Sequence, residues 1–274
     1  MALFLNTNVA SLGAQRNLWN NTSSLNKSLE RLSSGLRINR AGDGAGTLLA
    51  SENMRSQIRG LQAANRNVQQ GISMLNTADG ALQSIYDDLQ RMREVAVEAS
   101  NGTITDWTPF TNEVNGLITA IDQTATGTTF NGNVLLDGSV AAMEIQYGAD
   151  NGQSLDIAAA FADAQAATLG VNPLDVSSQA NAQAAIATVD GALATLAGII
   201  ADVGGFQNSL ENQMNSNMVA IENYSSAEAS LRNTDVAAES ANLVKAQILQ
   251  QASALALAQA NQAPAIALTL LQGL

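Results

Sequence analysis

The sequence predicts a mainly α-helical fold: a long antiparallel helical bundle with terminal coiled-coil segments and a small β-hairpin patch. Three observations carry this. Apolar residues recur at steps of four and three along most of the chain. Aromatic residues make up only 4% of it, against an apolar share of 46% that is rich in alanine. Short alternating runs bounded by Gly, Asn and Asp are confined to one region, between Phe130 and Ala160. A 4-3 rhythm lays one apolar seam along a helix, and small side chains suit closely packed helices.

The first helical pattern begins near Asn6, where Leu5, Val9 and Leu12 step by four and three. After a drift of one residue it continues as Leu18, Thr22, Leu25, Leu29, Leu32 and Leu36. Glu30, Arg31, Arg37 and Arg40 cluster at its end, as solvated charges or modest inter-helix pairs. "NRAGDGAG" then interrupts the stripe, so Gly42, Gly44 and Gly46 are expected to form a hinge. This stretch lacks the Gly-Lys-Ser/Thr ending of a phosphate loop and follows a helix rather than a strand.

A second, longer helix is expected from Thr47 to Ala99, a rod of about 80 Å. Its stripe reads Met54, Ile58, Leu61, Asn65, Val68, Ile72, Leu75, Asp79, Leu82, Tyr86, Leu89, Arg93 and Ala96. "SNGTITDWTP" ends it, and Glu113 to Thr124 reads as a shorter helix. In the β region, Met143, Ile145 and Tyr147 alternate with Glu144 and Gln146 as in a half-buried strand. Phe161 to Ser178, small, polar and containing Pro173, reads as a connection.

The last third is helical again: Ile186, Val189, Leu193, Leu196, Ile200, Val203, Gln207, Leu210, Met214, Asn217, Ile221, Tyr224, Glu228 and Leu231 keep the rhythm. The pattern continues into a tail without charge from Ala246 to Leu274, where Pro264 should end or kink the helix.

Composition excludes several function classes. A net charge of −12 would repel a nucleic-acid backbone. No cysteine is present for a thiol nucleophile or disulfide, and no histidine for the commonest general base and metal ligand. Asp87 and Asp88 are neighbours on a helix and do not face each other. No catalytic residue, metal or cofactor is therefore expected. The start, "MALFLNTNVASLGAQR", lacks the basic region and apolar run of a cleaved signal peptide. The tail is too polar to span a bilayer, since its longest apolar run is Ala263 to Leu268. No apolar span, and so no membrane insertion, is expected.

"RLSSGLRINRAGDGAG", "GISMLNTADGALQ", "LQRMREVAVEASNGT", "TTFNGNVLLDG" and "VKAQILQQASALALAQANQAPAIALTLLQ" together resemble the motifs of bacterial flagellins, in the family's order. The resemblance implies a structural subunit that polymerises with itself into the extracellular flagellar filament for motility. It implies a discontinuous filament-core domain of residues 1–44 and 235–274, in which Ala2 to Asn39 pairs with Val236 to Leu274. An inner helical domain spans 45–234, with the β patch at about 130–160. Only some twenty residues join the patch to the last helices, so the outer variable domains of longer relatives look absent. Filament-core assembly residues would be Leu18, Leu25, Leu29, Leu32, Leu36, Val244, Ile248, Leu249, Leu255 and Leu257.

Further partners implied are a flagellar export chaperone, hook-associated junction and cap proteins, and the host toll-like flagellin receptor. By position, Gln90, Arg91, Glu94, Val95 and Glu113 match the receptor contacts of stimulatory flagellins, with Val95 where a leucine is usual. The competing account of Arg91 and Glu94 is ordinary helix-surface charge. Three other functions compete with the filament role. A hook–filament junction protein would match the tail less closely. A chemoreceptor-like signalling coiled coil would be an unbroken hairpin without a β patch. A secreted translocator would need a true apolar span.

Overall fold

The computed structural model describes residues 7–272, with side chains over 7–262. Ala2 to Leu5, the start of the first expected stripe, lie outside the described residues, as does the extreme carboxy terminus. Five helices and two small hairpins follow in order: α1 Val9–Ser34, α2 Ala41–Ala99, α3 Thr108–Gly127, β1 Thr129–Phe130, β2 Asn133–Val134, β3 Glu144–Gln146, β4 Ser154–Asp156, α4 Gln179–Arg232 and α5 Val236–Gln272.

Local chemistry sets the boundaries. The Asn8 side chain accepts from the Ser11 amide at 3.0 Å and starts α1, and Gly35 ends it in the left-handed conformation. α2 starts in the glycine-rich stretch, and Gly44 is its one non-helical residue, the site of a kink. Gly42 and Gly46 are helical. The Trp107 indole donates to the Ala99 carbonyl at 2.9 Å, satisfying one of the acceptors left at the end of α2. Asn131 and Gly132, both with positive φ, form the tight turn between β1 and β2.

The carboxy-terminal boundary differs from expectation. The apolar rhythm predicts one pattern running from Ile186 into the tail, yet the helix breaks at 233–235. Asp235 accepts from the amides of Ala237 and Ala238 at 2.9 and 3.1 Å and starts α5 afresh. Pro264 does not end α5, which continues to Gln272.

Two compact units are present: residues up to Arg55 with those from Tyr224 onward, and Ser56–Asn223. In the second unit α2 and α4 lie antiparallel. Their side chains meet at Asn65 and Asn217 (2.9 Å), Asn76 and Gln207 (3.0 Å), and Arg93 and Asp190 (2.6 Å). The buried seam of α2 is Leu61, Val68, Leu75, Leu82, Leu89 and Ala96, each paired with a residue three further on. These partners are Ala64, Gly71, Ala78, Ile85, Met92 and Ala99. The expected second row of Asn65, Ile72, Asp79, Tyr86 and Arg93 is thus displaced by one residue, and only Ile72 of it is buried.

The displacement has a packing reason. A Cβ at Gly71 would lie 3.2 Å from Ile145 and 3.3 Å from Leu210, so a small residue there lets the β3 hairpin and α4 come close. α4 repeats the arrangement with Val189, Leu196, Val203 and Leu210 against Ala185, Ala192 and Ile199. Asn217 is the polar layer of this seam. Its amide donates to Asn65 and to the Tyr147 carbonyl, and its oxygen accepts from Gln213. A buried asparagine satisfied this way fixes helix register.

The expected connection after Phe161 is irregular, and it is packed into the core: Phe161, Ala164, Ala166, Leu169, Val171, Leu174 and Val176 are all buried. Asp122 holds this segment by accepting from the Ala166 amide at 2.8 Å. The chain also contains an apolar stretch long enough for a bilayer, in α4, whose most apolar window has a mean hydropathy of 1.8. That apolarity is used on the seam just described and on Ile186, Leu193 and Ile200, which pack beside it.

Candidate assembly surface

In the first unit α1 and α5 pair antiparallel, and the seam between them is made of leucine, amide and hydroxyl groups. Ser11 donates to Asn261 at 2.7 Å, Asn21 to Ser253 at 2.7 Å, and Gln250 to Thr22 at 3.3 Å. Leu18, Leu25 and Leu32 are half-buried on the α1 side, and Leu243, Ala246 and Leu257 are partly or fully buried on the α5 side. Glu239 is buried at one end of the seam, 3.5 Å from Arg31.

The other faces of both helices leave large apolar groups uncovered. On α1 these are Val9, Leu12 and Trp19, set among Gln15, Arg16, Asn20 and Ser23; on α5 they are Val244, Ile248 and Leu255. Trp19 is 71% exposed and Leu255 74%. Large apolar groups gathered on one face of an exposed helix mark a contact surface. Glu239 and Lys245 are the only charged residues of α5.

The expected assembly residues therefore divide. Leu18, Leu25, Leu32 and Leu257 line the intrachain seam, Leu29 and Leu249 stand partly exposed at its edge, and Val244, Ile248 and Leu255 point away from it. Leu36 belongs to neither, because α1 stops at Ser34. It forms an isolated bridge with Asn233, flanked by Arg37 N–H donating to the Arg232 carbonyl at 2.7 Å. Trp19 was not among the expected residues. Its signal was legible as a large aromatic standing off the 4-3 stripe, where a helix should be polar.

The charge cluster at the end of α1 ties elements together. Lys27 pairs with Asp43 at 2.7 Å, Arg40 with Glu30 at 2.9 Å, and Arg232 with Glu52 at 2.7 Å. The Arg37 guanidinium donates to the Leu231 carbonyl at 2.8 Å. The Lys27 ammonium holds the Asp43 carboxyl below its ordinary range, with the Arg40 and Asn39 amides assisting against partial desolvation. Arg232, and then Arg55, lower Glu52 in the same direction.

Lowered carboxylates add stability above their unfolded pKa and lose it as the pH falls through the folded value. The first unit should thus be fully supported at neutral pH and weaken only below the ordinary carboxylate range. Hydrogen exchange of the amides around Arg40 and Glu52 checks this: protection should fall in acid before that of Leu82 or Leu89. Lys27→Met should remove part of the acid dependence.

In the second unit Arg91 pairs with Glu113 at 2.7 Å and with Glu94 at 2.9 Å, and both partners hold its guanidinium charged. Gln90, Arg91, Glu94 and Glu113 are exposed. Val95 is not: it is wholly buried in the α2 seam and offers no surface to a partner. Burial, reinforced by neighbouring Asp87, pushes the Asp88 carboxyl up. No group of three or more metal-ligating carboxylates occurs among the described residues.

A helical chain whose two ends pair and leave apolar outer faces defines a class of self-assembling structural subunits. Residues 5–141 match the bacterial flagellin N-terminal helical region, and residues 186–271 the bacterial flagellin C-terminal helical region. The chain is 40% identical to a flagellin of Halalkalibacterium halodurans, over 98% of its own length and all of the relative's. It is 40% identical to a flagellin of Bacillus subtilis, covering 98% and 99% of the two chains. It is 39% identical to a flagellar filament 33 kDa core protein of Treponema phagedenis, covering 98% and 100%. The chain belongs to the bacterial flagellin family, and its function is that of a structural subunit of the flagellar filament.

Proposed function

We propose that polymerisation proceeds by burial of the outer faces of α1 and α5 against the same helices of neighbouring copies. The observation that carries this is the pairing of the two helices through a thin leucine-amide seam while Trp19, Ile248 and Leu255 stay uncovered. Burying a side chain of this size contributes about 1.5–3 kcal/mol. Where the outer face of one copy meets a different part of the α1–α5 pair on the next, the contact is head to tail, and it grows as an open helix when its rotation does not close. On this reading residues 1–44 and 235–274 form the filament-core domain and 45–234 the inner helical domain.

The terminal helices order fully only on addition to a tip, since a helix without a partner for its apolar face is marginal. Ordering then opposes nucleation, so growth depends on existing ends. The chain works outside the cell, as a structural element of the filament. An export chaperone would cover the same outer faces before assembly, and hook-associated junction and cap proteins would meet them at the filament ends. Gln90, Arg91, Glu94 and Glu113 form the exposed set that a toll-like receptor would read on free subunits, without Val95.

Full-length protein seeded with sheared filament should grow fibres visible by electron microscopy, and the chain lacking residues 246–274 should not. Equal growth by the truncated chain would overturn the proposal.

A further inference from the structure

Pro264 has no backbone N–H, so within α5 the carbonyl four residues earlier, that of Ala260, loses its helical donor. An acceptor left this way is usually satisfied from outside the helix. Here the donor comes from the opposite end of the chain: the Asn8 side-chain amide lies 2.8 Å from the Ala260 carbonyl. The other half of the same side chain is already in use, because its oxygen accepts from the Ser11 amide and caps α1. One turn further on, Ser11 donates to Asn261, beside Ala260.

We propose that Asn8 and the gap opened by Pro264 form a register lock, in which the residue that starts α1 supplies the hydrogen bond that Pro264 denies to α5. Elsewhere on the seam, the pairs Asn21–Ser253, Gln250–Thr22 and Arg31–Glu239 also oppose sliding, but each joins two side chains that can re-aim. The Ala260 carbonyl cannot, because it is a backbone acceptor placed by the single proline within α5. The lock also links two events. The Asn8 amide is aimed only when its oxygen caps a formed α1, and its acceptor exists only when α5 is helical through Ala260. Each end thus reports the folding of the other. Its role is positioning: it fixes which outer residues of α1 and α5 stand side by side.

The inference rests on the filament reading, and a double-substitution cycle separates the two. Asn8→Ser keeps a capping hydroxyl but is too short to reach Ala260. Pro264→Ala restores an N–H for that carbonyl and makes the Asn8 amide redundant. The readout is the critical concentration for seeded growth of the full chain. Asn8→Ser alone should raise it about tenfold, the order expected for an orphaned acceptor. Pro264→Ala alone should grow as well as the unchanged chain, and the double variant should match Pro264→Ala. An equal penalty from Asn8→Ser in both backgrounds would mean that only the cap matters, and would overturn the lock. So would the absence of any penalty in the unchanged background, or a Pro264→Ala chain that cannot grow. Failure of the unchanged chain to grow on seeds would instead refute the filament reading itself.

Discussion

Replacing Ile248 and Leu255 together with glutamate abolishes seeded filament growth and leaves the melting of residues 56–223 unchanged. Both side chains are exposed in the single chain, Ile248 at 60% and Leu255 at 74%, so the folded subunit loses little by the change. Surface substitutions of this kind usually shift stability by less than about 0.5 kcal/mol. In a polymer the same positions would be covered by other copies. No charged residue occurs from Ala246 to Leu274, so nothing in that stretch of a neighbour could pair with the new carboxylates. Burying an unpaired carboxylate costs several kcal/mol, and every subunit would carry two. Sedimentation after seeding measures the loss, and circular dichroism follows the fold. Leu257→Glu is the control on the other face: it should disturb the α1–α5 pairing itself as well as growth. Undiminished growth of the double variant would mean that these faces stay exposed in the filament.

Much of this was legible in the residues, and the failures share a cause. Periodicity located α1, α2, α3 and α4, because a rhythm held for many turns fits a helix and little else. Turn chemistry located the β1–β2 hairpin through Asn131 and Gly132, and the β3–β4 hairpin through the Gly, Asp and Asn residues at 148–152. What periodicity cannot do is choose between positions three and four residues away when one is alanine or glycine. Ala64, Gly71 and Ala78 looked featureless beside Ile72 and Tyr86, and the stripe was drawn through the larger residues. Yet small residues are what close helix approach requires. The same bias hid the buried loop at Ala164 and Ala166, whose irregular spacing fits neither a helix nor a strand. Periodicity runs past the break before α5, whereas the resemblance places a boundary there, and Asn233, Thr234 and Asp235 are a turn and cap signal that the apolar rhythm does not weigh. For the assembly surface, the uncharged tail signalled burial by partners. Which of its leucines face the chain's own α1, and which face away, depended on a register that only the structure supplies.

Ala78 and Asp79 test that correction, because each row of α2 would make a different one of them critical. Ala78 is wholly buried, on the row of small residues that face the core, whereas Asp79 is half-buried at its edge. Ala78→Asp places a carboxylate among Leu75, Leu82 and the helices around them, on a stretch of the seam built from apolar side chains. Such a group must stay protonated or remain buried and unpaired, and either costs more than about 4 kcal/mol. A domain of this kind has roughly 5–15 kcal/mol to lose, so the second unit should be largely destabilised and its urea midpoint should collapse. Asp79→Ala should shift stability by no more than about 0.5 kcal/mol and in the stabilising direction, since alanine is the better helix former. The opposite order, a tolerant Ala78 and a sensitive Asp79, would return the seam to the row through Asn65 and Arg93. The filament assay adds a second readout: a subunit whose second unit is unfolded should fail to elongate seeds even though α1 and α5 keep every outer residue intact.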